Sequence, residues 1–254
     1  MKVLLLAGTA EARALSHALD ALVDVDVVVS LAGRTSAAAD HGGTLRLGGF
    51  GGAEGLEAYL VHERFDAVVD ATHPFAERMS AHVARAVRRA GTPLVRFERP
   101  PWRARVGDRW TEVADVDAAA RAVVALGATR VLLTIGRTGL DAFRPLDQVH
   151  FVVRSIESVD EQPFASLSSI RARGPFTVAD EVALLERHAI DAVVTKNSGG
   201  DDAKLVAART LDIPVVMIER PRRALCATVD NVEDALRWLR SAEHGQRSHP
   251  HRPS

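Results

Sequence analysis

The chain has little cysteine, lysine or aromatic side chain. One of its 254 residues is cysteine, Cys226, so no disulfide can close within it, and this usage fits a reducing, cytoplasmic location. Lys2, Lys196 and Lys204 are the three lysines among 32 basic residues; the rest are arginine. A lone arginine therefore says little about function, whereas a lysine kept at a strand end says more. The formal net charge of −1 excludes bulk attraction to nucleic acid or to an acidic membrane. No apolar run reaches the roughly 18 residues of a membrane span. The opening MKVLLLAGTA has a lysine and an apolar run, as a signal peptide would. Glu11 and Arg13 interrupt it, and a buried first strand accounts for it better.

What is present is a series of short, β-branched, continuous apolar runs bounded by Gly, Thr or Pro: KVLLLAG, VDVVVS, DAVVDAT, TPLVRF, RVLLTIG, HFVVRS, DAVVTKN and IPVVMIE. Strands buried on both faces read this way. Helical patterns separate several of them, at 10–21, 53–63, 75–90, 115–126, 177–188, 201–210 and 230–240. Alternating strands and helices predict a parallel α/β sheet with right-handed crossovers.

The runs repeat in order. KVLLLAG matches RVLLTIG 128 residues later, DAVVDAT matches DAVVTKN 125 later, and TPLVRFERP matches IPVVMIERP 121 later. The fold expected is α/β, with two related Rossmann-like domains whose parallel sheets face a central cleft. The domains are expected at 1–112 and 113–240, followed by a disordered, solvated tail at 241–254 that includes three histidines. Ligands of open parallel sheets sit beyond the carboxyl ends of the strands. The stretches after each ERP, RWTEV and LCATV, can each add a last strand, and at least one is expected to cross to the other sheet.

In the first half, LLLAGTAEARAL reads as strand, tight turn and helix. Gly8 allows the turn and Thr9 can cap the helix, leaving the amides of Ala10 and Glu11 for a phosphate; a merely capped helix reads the same. The second strand ends in VVVSLAGRT, with Ser30 and Arg34 and no acid. A carboxylate there would repel a 2′-phosphate and a guanidinium would bind it, so the pattern favours NADP over NAD; the alternative is a loop arginine. LGGFGG, with Gly49 and Gly51, either brings backbone close to a ligand or is a flexible loop. In DATHPFA, Thr72 and His73 lie at a strand end, and Pro74 is expected to open a helix. His73 contacts the cofactor, moves a proton or is structural.

Together, LLLAGTAEAR, SLAGRT, GGFGG, DATHPFA, RFERP, TIGR and TKNSGG, in this order up to about Pro221, resemble the precorrin-6A reductase family of cobalamin biosynthesis. The resemblance implies an NADPH-dependent enzyme with two Rossmann-like domains. It implies reduction of one carbon–carbon double bond of a tetrapyrrole macrocycle, giving precorrin-6B. A precorrin carries a rim of carboxylates. On that reading the second half offers Arg137, Arg154, Arg173, Lys196, Asn197 and Ser198 as substrate contacts, with a helix expected near Pro175. The proton that follows the hydride has Lys196, His73 or water as its source. No metal site is expected, and the oligomeric state is left open. Two other readings stand beside this one: a cofactor-free two-domain enzyme of the uroporphyrinogen-III synthase type, and a non-enzymatic NADP(H)-sensing regulator.

Overall fold

The computed structural model of the chain describes residues 1–31, 40–156 and 164–247. In chain order the first elements are β1 (Lys2–Ala7), α1 (Ala10–Asp20), β2 (Asp26–Leu31), β3 (Thr44–Leu47), α2 (Ala53–Glu63), β4 (Ala67–Ala71), α3 (Glu77–Ala90) and β5 (Leu94–Phe97). Then come β6 (Trp110–Val113), α4 (Val116–Ala125), β7 (Arg130–Leu133), a 3-10 turn at Leu140–Phe143, β8 (His150–Ser155), β9 (Leu167–Arg171), α5 (Val178–Arg187), β10 (Ala192–Lys196), α6 (Ala203–Thr210) and β11 (Val215–Ile218). The chain ends with β12 (Ala227–Val229) and α7 (Val232–Arg247).

Two six-stranded sheets form, ordered β3-β2-β1-β4-β5-β12 and β9-β8-β7-β10-β11-β6, with every pair parallel. The first five positions of each order are the same, so the two halves share the doubly wound arrangement of Rossmann-like domains. The repeated Asp-Ala explains part of the likeness. Asp66, before β4, accepts from the Lys2 amide at 2.6 Å; Asp191, before β10, accepts from the Arg130 amide at 3.0 Å. Each aspartate pins the start of its own first strand.

The sixth position is reciprocal. After Glu98-Arg99-Pro100 the chain supplies β6 to the second sheet, beside β11; after Glu219-Arg220-Pro221 it supplies β12 to the first, beside β5. Both strands therefore cross. The compact units are Met1–Pro100 with Arg222–Ser254, and Pro101–Pro221. This corrects the division at 1–112 and 113–240, which kept β6 with the first half and β12 and α7 with the second. The tail expected to be disordered from 241 is helical to Arg247, and 248–254 lie outside the described residues.

Within the first unit, alternation along β1 sends Val3 and Leu5 to one face and Leu4 and Leu6 to the other. The first pair packs with Leu15 and Leu19 of α1 and with Ala235 and Leu239 of α7; the second packs with Leu56 and Leu60 of α2 and Val83 and Val87 of α3. The second unit has its own core, including Leu132, Val152, Leu185, Val193, Leu205 and Met217. Each such side chain contributes about 1.5–3 kcal/mol by leaving water.

Two helix starts differ from expectation. Pro74 opens a turn, in which the Ala76 amide donates to the His73 carbonyl at 2.7 Å, and α3 begins only at Glu77. Pro175 precedes a loop residue and Thr177, which caps α5 reciprocally with Asp180.

Because α7 belongs to the core of the first unit, Leu239→Ala is expected to destabilise the chain by about 2–5 kcal/mol. Val23→Ala, at a fully exposed site, is expected to stay within about 0.5 kcal/mol. Urea unfolding of both variants checks this, and equal midpoints would remove α7 from the core.

Candidate functional site

In the first unit the strand order reverses between β1 and β4, whose ends pair at Ala7 and Ala71. Thr9 caps α1 by accepting from the Ala12 amide at 3.1 Å and reaches the Ala71 carbonyl at 3.4 Å. Like the first amides of any helix, those at the start of α1 lack intrahelical acceptors, and Thr9 takes the one of Ala12. Gly8 is not at positive φ, and a side chain there would begin 3.6–3.7 Å from the backbone of Thr72 and His73, an ordinary contact. The fold itself does not demand that glycine. Glu11 lies in the first turn with its carboxylate on Arg99 Nη1 at 3.0 and 3.2 Å. Burial opposes its ionisation, but a backbone hydrogen bond and Arg99 outweigh burial and hold it below the usual carboxylate range.

Ser30 is buried at the end of β2, in register with Leu6 and with Arg46 of β3. Arg34 lies outside the described residues. Arg46 was not singled out from the sequence, yet it organises the glycine loop. Its guanidinium donates to the carbonyls of Gly48 at 2.7 Å and Gly49 at 3.1 Å and lies 3.8 Å from the Phe50 ring centre. Gly51 has φ +78°, which only glycine adopts readily. Gly49 has neither a positive φ nor any atom within 4 Å of a would-be Cβ, so neither backbone nor packing requires it. A ligand's close approach is a use for that open space. The only sequence signal for Arg46 was an arginine in the short TLRL stretch before the glycines.

At the β4 end, Thr72 donates its hydroxyl to Asp70 Oδ1 at 2.6 Å and its amide to the same oxygen at 3.2 Å. His73 Nδ1 accepts from the Phe75 amide at 3.2 Å, which leaves the neutral ring's proton on Nε2. Asp70, 1% exposed, carries no sequence signal beyond its place in DAVVDAT. It is met by Ser80 at 2.9 Å and Arg223 at 3.3 Å, and Arg223 also donates to Glu98 at 2.7 Å.

In the second unit the corresponding reversal lies between β7 and β10. Lys196 Nζ donates to the Ile135 carbonyl at 2.9 Å, bridging the two strand ends. Burial pushes its pKa below the ordinary lysine range. Ser198 donates its amide back to the Lys196 carbonyl at 2.7 Å. Asn197 spends its side chain on Trp102, accepting from the amide at 2.8 Å and donating to the carbonyl at 3.0 Å. Its amide group therefore ties the start of the unit to the loop. Arg137, exposed, follows the β7 end by way of Ile135 and Gly136. Arg173 is exposed in the β9–α5 connection.

Arg154 is different. It is buried, paired bidentately with Glu181 at 2.9 and 2.9 Å, and stacked 4.2 Å from the Phe176 ring centre. Glu181 is 2% exposed. The sequence showed an arginine on a strand end, not a partner 27 residues on in a helix. Its guanidinium is engaged in that pair, at the edge of a cavity of about 150 Å³ that Asp201 and Lys204 also line. Among the described residues no group of three or more His, Cys, Asp or Glu is placed to hold a metal, and no helix is long and apolar enough to cross a membrane.

Comparison with known proteins agrees over nearly the whole chain. Residues 2–240 match the family model described as precorrin-6x reductase CbiJ/CobK. The chain is 48% identical to a precorrin-6A reductase of Rhodococcus erythropolis, covering 94% of this chain and 97% of the relative. It is 46% identical to one of Mycobacterium tuberculosis, with coverages of 94% and 97%. A solved structure of CobK precorrin-6A reductase superposes with a TM-score of 0.89 at 40% identity, covering 95% of this chain and 97% of that one.

The Arg154–Glu181 pair makes a distinct prediction. Arg154→Leu leaves a buried carboxylate without its partner and is expected to cost about 3–5 kcal/mol, while Arg154→Leu with Glu181→Leu recovers most of that loss. Thermal or urea unfolding of the single and double variants reads this out. A stable single variant would return Arg154 to the ligand contacts.

Proposed function

Because the chain belongs to the precorrin-6x reductase family, we propose that it reduces one carbon–carbon double bond of precorrin-6A, giving precorrin-6B in cobalamin biosynthesis, with NADPH as the reductant. The near full-length match to reductases displaces the synthase-like and sensor readings. The observation that carries the cofactor choice is the end of β2. Ser30 stands there, with Arg34 four residues on and no carboxylate between them, so a 2′-phosphate meets a donor and a cation instead of a repelling acid.

The first unit's residues fit a dinucleotide. The Thr9-capped helix end suits its pyrophosphate, the open space at Gly49 suits close backbone approach, and Thr72 and His73 flank Gly8 at the strand reversal. When bound, the dihydronicotinamide supplies a hydride, and the chain contributes position and electrostatics. For a polyanionic macrocycle we keep Lys196, Ser198, Arg137 and Arg173 as substrate contacts, Lys196 and Ser198 also making internal hydrogen bonds at the β10 end. Lys196 is the proton donor we favour. Burial lowers its pKa, so its ammonium gives up a proton more readily than an exposed one would.

Titration of the protein's fluorescence with NADPH and NADH tests the cofactor. Arg34→Ala is expected to weaken NADPH by roughly ten- to a hundredfold, the worth of one charge-assisted contact, and to leave NADH nearly unchanged. A wild type that prefers NADH would overturn the assignment.

Supplying precorrin-6A and following loss of the reduced nicotinamide tests Lys196. Lys196→Ala is expected to raise KM or lower kcat by roughly ten- to a hundredfold while the NADPH Kd stays within about twofold. The ammonium form is required, so the rate falls as pH rises through a pKa lying below the ordinary lysine range. Lys196→Arg, which keeps the charge but gives up no proton, is expected to lose rate as Lys196→Ala does and to remove that alkaline limb. An unchanged limb would move the proton transfer to another group.

A further inference from the structure

The buried polar cluster at the end of β4 joins segments far apart in the chain. Asp70 and Arg223 are 153 residues apart, and Arg223 lies just past Pro221, on the segment that returns to the first unit. The Arg223 side chain is 5% exposed and spans two carboxylates, Glu98 at 2.7 Å and Asp70 at 3.3 Å; it also contacts the Ser80 hydroxyl. Arg96 flanks the same carboxylates at 3.8–3.9 Å and donates to the Ala224 carbonyl at 3.1 Å. The two oxygens of Asp70 divide their work. Oδ2 takes Ser80 and Arg223, and Oδ1 takes both donors of Thr72.

That division reaches the candidate nucleotide site in one residue. A carboxylate held by Ser80 and Arg223 on one oxygen has its other oxygen fixed in direction. Thr72 is thereby held by hydroxyl and amide together. With its proton given to Asp70, the Thr72 hydroxyl faces other donors as an acceptor; Arg223 Nη2 is one, at 3.4 Å. A ribose hydroxyl or a carboxamide NH2 has the same chemistry. The Thr72 backbone in turn lies beside Gly8, and the Thr9 hydroxyl reaches the Ala71 carbonyl.

We infer that Asp70 and Arg223 are positioning residues for the nucleotide-facing turn Thr72–His73, so that the returning C-terminal segment completes a cofactor site whose contacts lie in the first 100 residues. The inference rests on the cofactor reading above. The turn meets a part of the nucleotide common to NADPH and NADH, which separates its effect from that of a 2′-phosphate contact.

The experiment measures NADPH and NADH Kd by fluorescence titration, and the unfolding midpoint without ligand, for full-length Arg223→Met, Arg223→Lys, Asp70→Asn, Thr72→Val and the exposed neighbour Arg222→Met. Arg223→Met and Asp70→Asn are expected to raise both Kd values about tenfold or more. Arg223→Lys should recover part of the loss, and Arg222→Met should bind as wild type does. A folded Arg223→Met with a lowered midpoint and unchanged Kd values would make the cluster purely structural and overturn the inference. If Arg223→Met and Asp70→Asn do not fold, Thr72→Val decides. It removes only the hydroxyl, and unchanged Kd values for it overturn the inference. A wild type that binds neither nucleotide defeats the cofactor reading itself, an outcome distinct from variants that bind as well as wild type.

Discussion

A carboxylate that is 1% exposed at the end of a strand buried on both faces must be met by donors, because an unpaired buried charge costs several kcal/mol. Asp70 meets that requirement with hydrogen-bond donors from three places, its own turn, α3 and the segment after Pro221, and with the charge of Arg96 on β5 at 3.9 Å. Sheet edge, helix start and returning chain are thereby brought to one point. The strand pairing that follows, β12 on β5, begins four residues after Arg223. The first sheet thus acquires its last strand beside its most demanding polar group.

The two halves use one plan with different ends. By the shared DAVV, Asp70 corresponds to Thr195, Ala71 to Lys196 and Thr72 to Asn197. In the first unit the acid points inward and orders the turn. In the second the matching threonine is buried, the lysine turns to the neighbouring strand end, and the asparagine holds the incoming chain at Trp102. The backbone is duplicated, whereas the chemistry at the strand ends has diverged.

Much of this was legible because central parallel strands are continuous apolar runs and their ends are punctuated by Gly, Thr and Pro. The central strands, the helices and the location of both strand ends follow from that pattern. The edge strands β3 and β9 did not. TLRL is largely exposed and LSSIR half-buried, and polar residues interrupt both, so they lack the apolar run. Sequence alone points to Arg154 and Asn197 as ligand contacts, because it gives a residue's place on a strand and not its partner. Asp70 was hidden inside DAVVDAT, and Arg223 stood among many arginines. Their meaning is a contact across 153 residues, which no local pattern encodes. The domain division failed for the same reason. Likeness between halves locates a repeat, but strand partnership locates a compact unit.

The reciprocal sixth strand has a consequence for synthesis. Pro101–Pro221 is one continuous stretch, whereas the other unit is split around it. Domains tend to fold as units while the chain emerges, N-terminal segments first. Here residues 1–100 precede the continuous unit in the chain but belong to the unit completed after it, since β12 and α7 follow Pro221. The uninterrupted unit can complete itself while its predecessor still shows an unpaired β5 edge. A chain broken off after Pro221 would carry one finished unit and one open sheet edge, the kind of edge that recruits other strands. The segment after Pro221 is thus what covers the β5 edge and closes the first sheet.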